Sequence, residues 1–167
     1  MLLYFLRHGD ASSHSRFQDG ERPLTDLGNQ QAAYVGKFLQ HTKARINVIL
    51  TSPLTRACET GAMVQSIIQT PRVESTEYLV NGTDPRQLWE QISELDAESI
   101  LLVGHEPFLS KIISLLLAGD HKIDIEMKKC SLALVEVQKP LRPGSGLLKQ
   151  LTHVETISKF IRQETGS

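Results

Sequence analysis

The chain's 167 residues amount to one ordinary domain, with volume for a substantial core and little left for a second, so a single domain over 1-167 is expected. Eighteen basic against nineteen acidic residues leave a formal charge of -1. That balance excludes the broad positive field that nucleic acid or anionic lipid demands, so any cationic site has to be local.

Residues 2 to 6, Leu-Leu-Tyr-Phe-Leu, are a continuous apolar run, the mark of a strand buried on both faces. The run is too short for the apolar stretch of a signal sequence, has no basic leader, and leads straight into Arg7; a membrane segment is not expected. Cys58 and Cys130 form no C-x-x-C pair and are too few for a disulfide scaffold, which fits a cytoplasmic protein. After a polar stretch holding Ser12, Ser13, Asp19, Gly20 and Pro23, Thr25 caps a helix. Its apolar positions Leu27, Tyr34, Val35, Phe38 and Leu39 keep helical spacing as far as Thr42. A second buried strand, Ile46 to Leu50, gives way to Thr51-Ser52-Pro53 and a helix through Ala57, Met63, Val64, Ile67 and Ile68.

From Pro71 to Thr83 the pattern reads mostly as loop, with a short strand near Val73 and a turn at Asn81-Gly82. Asp84-Pro85, a cap followed by a first-turn proline, opens a helix with Leu88, Ile92 and Leu95 as its buried stripe and Trp89 beside it. Ile100 to Val103 is the third buried strand. It ends at Gly104-His105, ahead of a helix from Pro107 to Ala118 that Gly119 caps. Leu132 to Val137 alternates, and Leu147 to Val154 follows the turn residues Pro140, Pro143, Gly144 and Gly146, predicting a terminal hairpin. Ile157, Phe160 and Ile161 predict a surface helix in the last dozen residues.

Strands alternating with helices predict an α/β fold, a three-layer αβα sandwich with a mostly parallel central sheet. Ligands of such sheets bind beyond the carboxyl ends of the strands, where Arg7 with His8, Ser52 through Arg56, and Gly104 with His105 all fall. Two arginines and two histidines gathered there in a neutral protein suit a phosphoryl group, which the guanidinium fork grips bidentately. A neutral imidazole, with a reference pKa of about 6.5, offers its lone pair near pH 7, so His8 can attack phosphorus without a base. Its other ring nitrogen needs an acceptor, and the backbone carbonyl in the turn at Gly9 is the candidate. Arg7, Arg56 and a protonated His105 are expected on the three equatorial oxygens, helped by N–H donors of the helix opening at Pro107.

Arg7-His8-Gly9, Arg22-Pro23-Leu24-Thr25 with Gly28, Thr51-Ser52-Pro53-Leu54-Thr55-Arg56-Ala57 with Glu59-Thr60, and Gly104-His105 resemble, in this order, the motifs of the histidine phosphatase (phosphoglycerate mutase-like) superfamily. The short chain and the opening Arg7-His8-Gly9-Asp10-Ala11 are similar to its SixA-like branch of phosphohistidine phosphatases. The resemblance implies a phosphoglycerate mutase-like fold, His8 as nucleophile, and Arg7, Arg56 and His105 as phosphate ligands. It further implies no cofactor, a phosphohistidine-containing protein as substrate, and phosphate or sulfate as occupants of the site.

Larger members of the superfamily carry an acidic general acid in an insertion over the site. Here Pro71 to Thr83 is short and offers only Glu74 and Glu77, of which Glu77 is the candidate acid. An alkoxide leaving from a sugar phosphate needs a proton as it departs, whereas imidazole leaving from phosphohistidine needs far less help, so an acid-poor site favours the phosphoramidate. A small-molecule phosphomonoesterase and a noncatalytic phosphoprotein-binding domain are the alternatives. Asp10 reads as a local backbone acceptor ahead of a tuner of the His8 loop, Glu106 as a cap before Pro107 ahead of the missing acid, and Ser52 as either a support for Arg7 or Arg56 or a shaper of the turn. Arg22 has no assignable role. Neither cysteine has an arginine six residues on, as a cysteine phosphatase requires, and His14, His41, His121 and His153 show no metal-ligand spacing, so no metal is expected.

Overall fold

The computed structural model describes residues 1–70 and 72–165; Pro71, at the head of the expected loop, and Gly166 and Ser167, in the expected last helix, lie outside it. Six strands are formed: β1 (Leu2–Arg7), β2 (Val48–Thr51), β3 (Val73–Ser75), β4 (Ser99–Gly104), β5 (Leu132–Glu136) and β6 (Leu147–Thr152). The helices are α1 (Asp26–His41), α2 (Thr55–Ile68), α3 (Pro85–Glu94), α4 (Phe108–Ala118) and α5 (Val154–Thr165). No helix among the described residues is long and apolar enough to cross a membrane.

All six strands share one sheet in the order β3-β2-β4-β1-β5-β6. The first four in sequence run parallel, β1 and β2 flanking β4 and β3 outside β2. The expected hairpin of β5 and β6 is present, but it docks antiparallel against β1, so the sheet is mixed and β1 is covered on both edges. Strand faces alternate, as a pleated backbone requires. Leu3 and Phe5 of β1, with Leu102 of β4, face Leu88 and Ile92 of α3 and Leu109, Ile112 and Leu116 of α4. Tyr4 and Leu6, with Leu101 and Val103, face Ala32, Val35 and Leu39 of α1, Val64 of α2, and Ile157 of α5. The result is the three-layer αβα sandwich, with two apolar cores separated by the sheet.

Most strand and helix ends lie within a residue of expectation, and two strand ends differ by two residues. β2 begins at Val48 rather than Ile46, because the Ile46 carbonyl accepts the Thr70 hydroxyl at 2.8 Å and not a ladder N–H. β6 stops at Thr152, because Val154 opens α5 and buries itself in the core beside α1. Caps are where the sequence puts them: Thr25 Oγ1 accepts the Gly28 N–H at 3.1 Å, and Asp84 accepts the Arg86 N–H at 3.0 Å beside Pro85.

The first turn of α1 lies directly on the loop after β1. A Cβ on Gly28 would stand 2.0 Å from the Asp10 carbonyl oxygen, and one on Gly9 would stand 2.7 Å from the Gly28 carbonyl oxygen. Both obstacles are backbone, which cannot rotate away. Gly28→Ala is therefore expected to destabilise the fold by about 3 kcal/mol, at the upper end of overpacking costs. Urea denaturation of the two proteins measures it, and a midpoint unchanged by the substitution would contradict the close approach.

Candidate active site

Three parallel strands end at one crevice. β1 closes on Arg7, and the next residue, His8, donates its N–H to the Gly104 carbonyl at the end of β4 at 3.1 Å. β2 ends at Thr51, and Ser52 donates its N–H to the Val103 carbonyl at 2.9 Å. His8 and His105 thus stand side by side with ring centroids 5.0 Å apart, and Arg56, in the first turn of α2, reaches His8 and lies near enough to His105 for its charge to act on that ring. Arg7, His8, Arg56 and His105 are brought together as the motifs predict.

The His8 ring is oriented from both sides. Its Nδ1 lies 2.7 Å from the Gly9 carbonyl oxygen; a carbonyl only accepts, so Nδ1 carries the proton and Nε2 carries the lone pair. Arg56 Nε donates to that Nε2 at 3.3 Å. Thr60 secures the turn, accepting the Gly9 N–H at 3.1 Å and donating to the Arg56 carbonyl at 2.6 Å. Glu59 accepts the Leu24 N–H at 2.6 Å, so Glu59 and Thr60 bind the loop of β1 and the Arg22–Thr25 stretch onto α2. Asp10 is not the local backbone acceptor expected of it: its carboxylate accepts the Thr25 hydroxyl at 2.7 Å and pairs with the Lys129 ammonium.

A strap from Met127 to Ser131 underlies the arginine. Arg7 Nη1 donates to the Met127 carbonyl at 2.9 Å, and the Cys130 N–H donates to the Arg7 carbonyl at 3.0 Å. Burial pushes the Cys130 thiol well above the usual range, so it stays a protonated core filler. Arg7 Nε is buried and has no partner among the described residues.

Both histidines are neutral at pH 7. Burial drives the His8 pKa down to about 3, opposed by the Gly9 carbonyl and assisted by the neighbouring His105, Arg56 and Arg7. Burial and the Arg56 charge drive His105 down to about 4, with Asp19 opposing. The expectation of a protonated His105 is thereby corrected, since desolvation beside two guanidinium groups disfavours an imidazolium. The consequence for stability has a definite sign. The unfolded chain takes up protons on these rings below about pH 6.5, while the folded chain resists until about 4 and 3, so stability is full above 6.5 and falls as the pH drops. Between pH 6.5 and 5, where carboxylates remain ionised, the urea midpoint is expected to decline; a flat midpoint over that window would contradict the depressed values.

Ser52 supports neither arginine. Its hydroxyl lies 2.8 Å from His105 Nε2. The helix opening after Pro107 also departs from expectation: the N–H groups of Phe108, Leu109 and Ser110 are taken by Asn81 Oδ1, the His105 carbonyl and Glu106 Oε1. Those first-turn donors are engaged within the protein and not free for a ligand; Pro107 is the N-cap, and Glu106 just before it serves as a side-chain acceptor for the first turn. Glu77 lies exposed on a single 3-10 turn, Glu77–Leu79, its carboxylate without a partner among the described residues, while Glu74 pairs with Arg72 at the surface.

Asp19 is the site residue that sequence reasoning missed. Arg56 Nη1 donates to its backbone carbonyl at 2.5 Å and Nη2 to its carboxylate at 3.2 Å, while Arg22 Nη1 reaches the other carboxylate oxygen at 3.1 Å. Arg22 Nε holds the same loop through the Ser12 carbonyl at 2.6 Å, which gives Arg22 its role. Burial pushes the Asp19 carboxyl up, but the Arg22 hydrogen bond and the Arg56 charge outweigh it and hold the group below the usual carboxylate range. The only sequence signal was an acid in a polar loop between two motifs, one of several there.

Two guanidinium groups and an imidazole lone pair thus converge at a crevice mouth, a set that can bind a phosphoryl group and accept phosphorus. Residues 3–80 match the model of the histidine phosphatase superfamily, branch 1. The phosphohistidine phosphatase SixA of Escherichia coli (strain K12) is 29% identical over 126 residues, covering 72% of this chain and 76% of its own. An uncharacterised protein of Picosynechococcus is 29% identical over 143 residues, covering 79% of this chain and 82% of its own. Among solved structures, the protein histidine phosphatase SixA complexed with tungstate superposes with a TM-score of 0.84 at 23% identity, covering 94% of this chain and 99% of that one. The alpha-ribazole phosphatase of Shigella flexneri superposes with a TM-score of 0.67 at 18% identity, covering 92% and 97%; both likenesses speak for the fold. These matches support the histidine phosphatase superfamily for this chain, and with it a phosphatase activity. Within the superfamily its likeness is to the SixA-like branch.

Proposed function

We propose that this phosphatase, one domain over 1-167, removes phosphate from phosphohistidine on a protein, without metal or cofactor, by way of a phosphoramidate on His8. The observation that carries the reading is the His8 ring itself, with Nδ1–H on the Gly9 carbonyl and the Nε2 lone pair turned to Arg56. In the first step Nε2 bonds to phosphorus as the P–N bond to the substrate ring breaks; with a proton on its other ring nitrogen the substrate side chain departs as neutral imidazole, and the proton on Nδ1 of His8 stays shared with Gly9. Arg7, Arg56 and His105 take the equatorial oxygens. Water then attacks the phosphorus of phospho-His8, releasing inorganic phosphate and returning the lone pair to Nε2.

The choice of phosphohistidine over a sugar phosphate rests on the leaving group. Asp19, the carboxylate beside Arg56, is held ionised by two guanidinium groups and is poorly suited to donate a proton. An imidazole leaving group tolerates that shortage and an alkoxide does not. The name of the Escherichia coli relative agrees with this choice, and the unpaired cysteines agree with a cytoplasmic setting.

The test is to incubate the protein with a phosphohistidine protein and, separately, with sugar phosphates. Transient phosphate on the protein, acid-labile and alkali-stable, with turnover of the phosphohistidine protein alone, is the expected result. Preferential turnover of sugar phosphates, lost in Glu77→Gln, would replace the reading with a phosphomonoesterase. Stable binding with no phosphate release would leave a phosphoprotein-binding domain.

A further inference from the structure

Ser52 is completely buried, and the imidazole it meets, His105, is only 3% exposed, so neither group exchanges its partner for solvent. The Ser52 oxygen accepts the Leu54 N–H at 3.4 Å and lies 2.8 Å from His105 Nε2. No other acceptor for the hydroxyl proton is within bonding distance among the described residues, so that proton is directed at Nε2. A neutral imidazole carries a single ring proton; with Nε2 accepting, it resides on Nδ1. His105 Nδ1 is buried and has no partner among the described residues, an unsatisfied polar atom that a ligand oxygen brought to it would satisfy.

The opposite tautomer would be penalised twice. With Nε2–H donating to Ser52, the serine's own proton would be buried without an acceptor, and the Nδ1 lone pair would face the oxygens of a bound phosphoryl group. We propose that Ser52 is a positioning residue that holds His105 as the Nδ1–H tautomer, and so makes it a neutral hydrogen-bond donor to a phosphoryl oxygen. The proposal rests on the reading of His105 as a phosphate ligand. It explains how His105 can serve there while uncharged, between Arg56 and Arg7 and near Asp19 and His8: donation from Nδ1–H requires no proton uptake. His8 has the same tautomer for a different reason, a carbonyl on Nδ1 instead of a hydroxyl on Nε2. One ring therefore presents a lone pair and the other a proton.

The experiment reads the tautomer and the affinity separately from turnover. Nitrogen-15 spectra of the wild-type protein are expected to show His105 with a protonated, pyrrole-type Nδ1 and a pyridine-type Nε2. Calorimetry with inorganic phosphate is expected to show Ser52→Ala weakening binding about tenfold. In a His105→Asn background, where the amide N–H supplies the donor without a second ring nitrogen, Ser52→Ala is expected to have no further effect. A wild-type His105 protonated on Nε2 overturns the proposal, even if the variants do not fold. Equal loss of phosphate affinity in both backgrounds also overturns it, because Ser52 would then be shaping the turn. Absence of phosphohistidine turnover with tautomer and affinity as expected would overturn the proposed substrate and leave the role of Ser52 standing.

Discussion

Replacing His8 by alanine is expected to lower turnover of a phosphohistidine protein on the order of ten-thousand-fold or more and to abolish phosphate trapping on the protein. The remaining groups bind and cannot substitute. His105 is the imidazole beside the His8 ring, and its Nε2 is committed to Ser52 while its Nδ1 bears the proton, so it has no free lone pair to offer. Arg7 and Arg56 remain to bind the phosphoryl group, so affinity for inorganic phosphate should change far less than turnover. That split between turnover and binding separates loss of the nucleophile from loss of the fold. Turnover of His8→Ala within tenfold of wild type would remove His8 from the reaction.

The second large effect is expected at Arg56. Its fork is engaged by the Asp19 carbonyl and carboxylate while its Nε donates to His8, so one side chain orients the ring and offers the donors that a phosphoryl group would take over. Arg56→Ala removes both functions, and a loss in turnover of about a hundredfold to a thousandfold is expected, as for removal of a preorganised donor to transition-state charge. Arg56→Lys should recover little, because an ammonium is a point charge without the fork. Stability should fall much less than activity, since the Asp19 partner is 54% exposed and a pair with a half-exposed member contributes little. Steady-state kinetics beside thermal denaturation measures the two effects. An Arg56→Lys protein with nearly full turnover would show that charge, and not the bidentate geometry, is what the site requires.

How much of this was legible beforehand follows from how local each signal is. Leu2 to Leu6, Ile100 to Val103 and the helical stripes of α1 and α3 announce themselves because burial of one strand or one helix face is written in consecutive residues. Caps such as Thr25 and Asp84 are equally local. The four residues that converge at the crevice were found because each sits at the end of a parallel strand or in the first turn behind one, and a parallel sheet brings those ends together whatever the intervening chain does. The docking of β5 against β1 was not legible, because an antiparallel hairpin carries the same alternating pattern whichever strand it joins.

The sequence by itself determined the αβα layering, the likeness to the superfamily and the gathering of Arg7, His8, Arg56 and His105. Only the tertiary structure decided what those groups are chemically. Asp19 reaches Arg56 across 37 residues, Ser52 reaches His105 across 53, and Met127 reaches Arg7 across 120. Protonation state and tautomer are set by such partners and by the water they exclude, and neither leaves a mark on neighbouring residues in the chain. That is why a histidine expected to be a cation is instead a buried neutral ring.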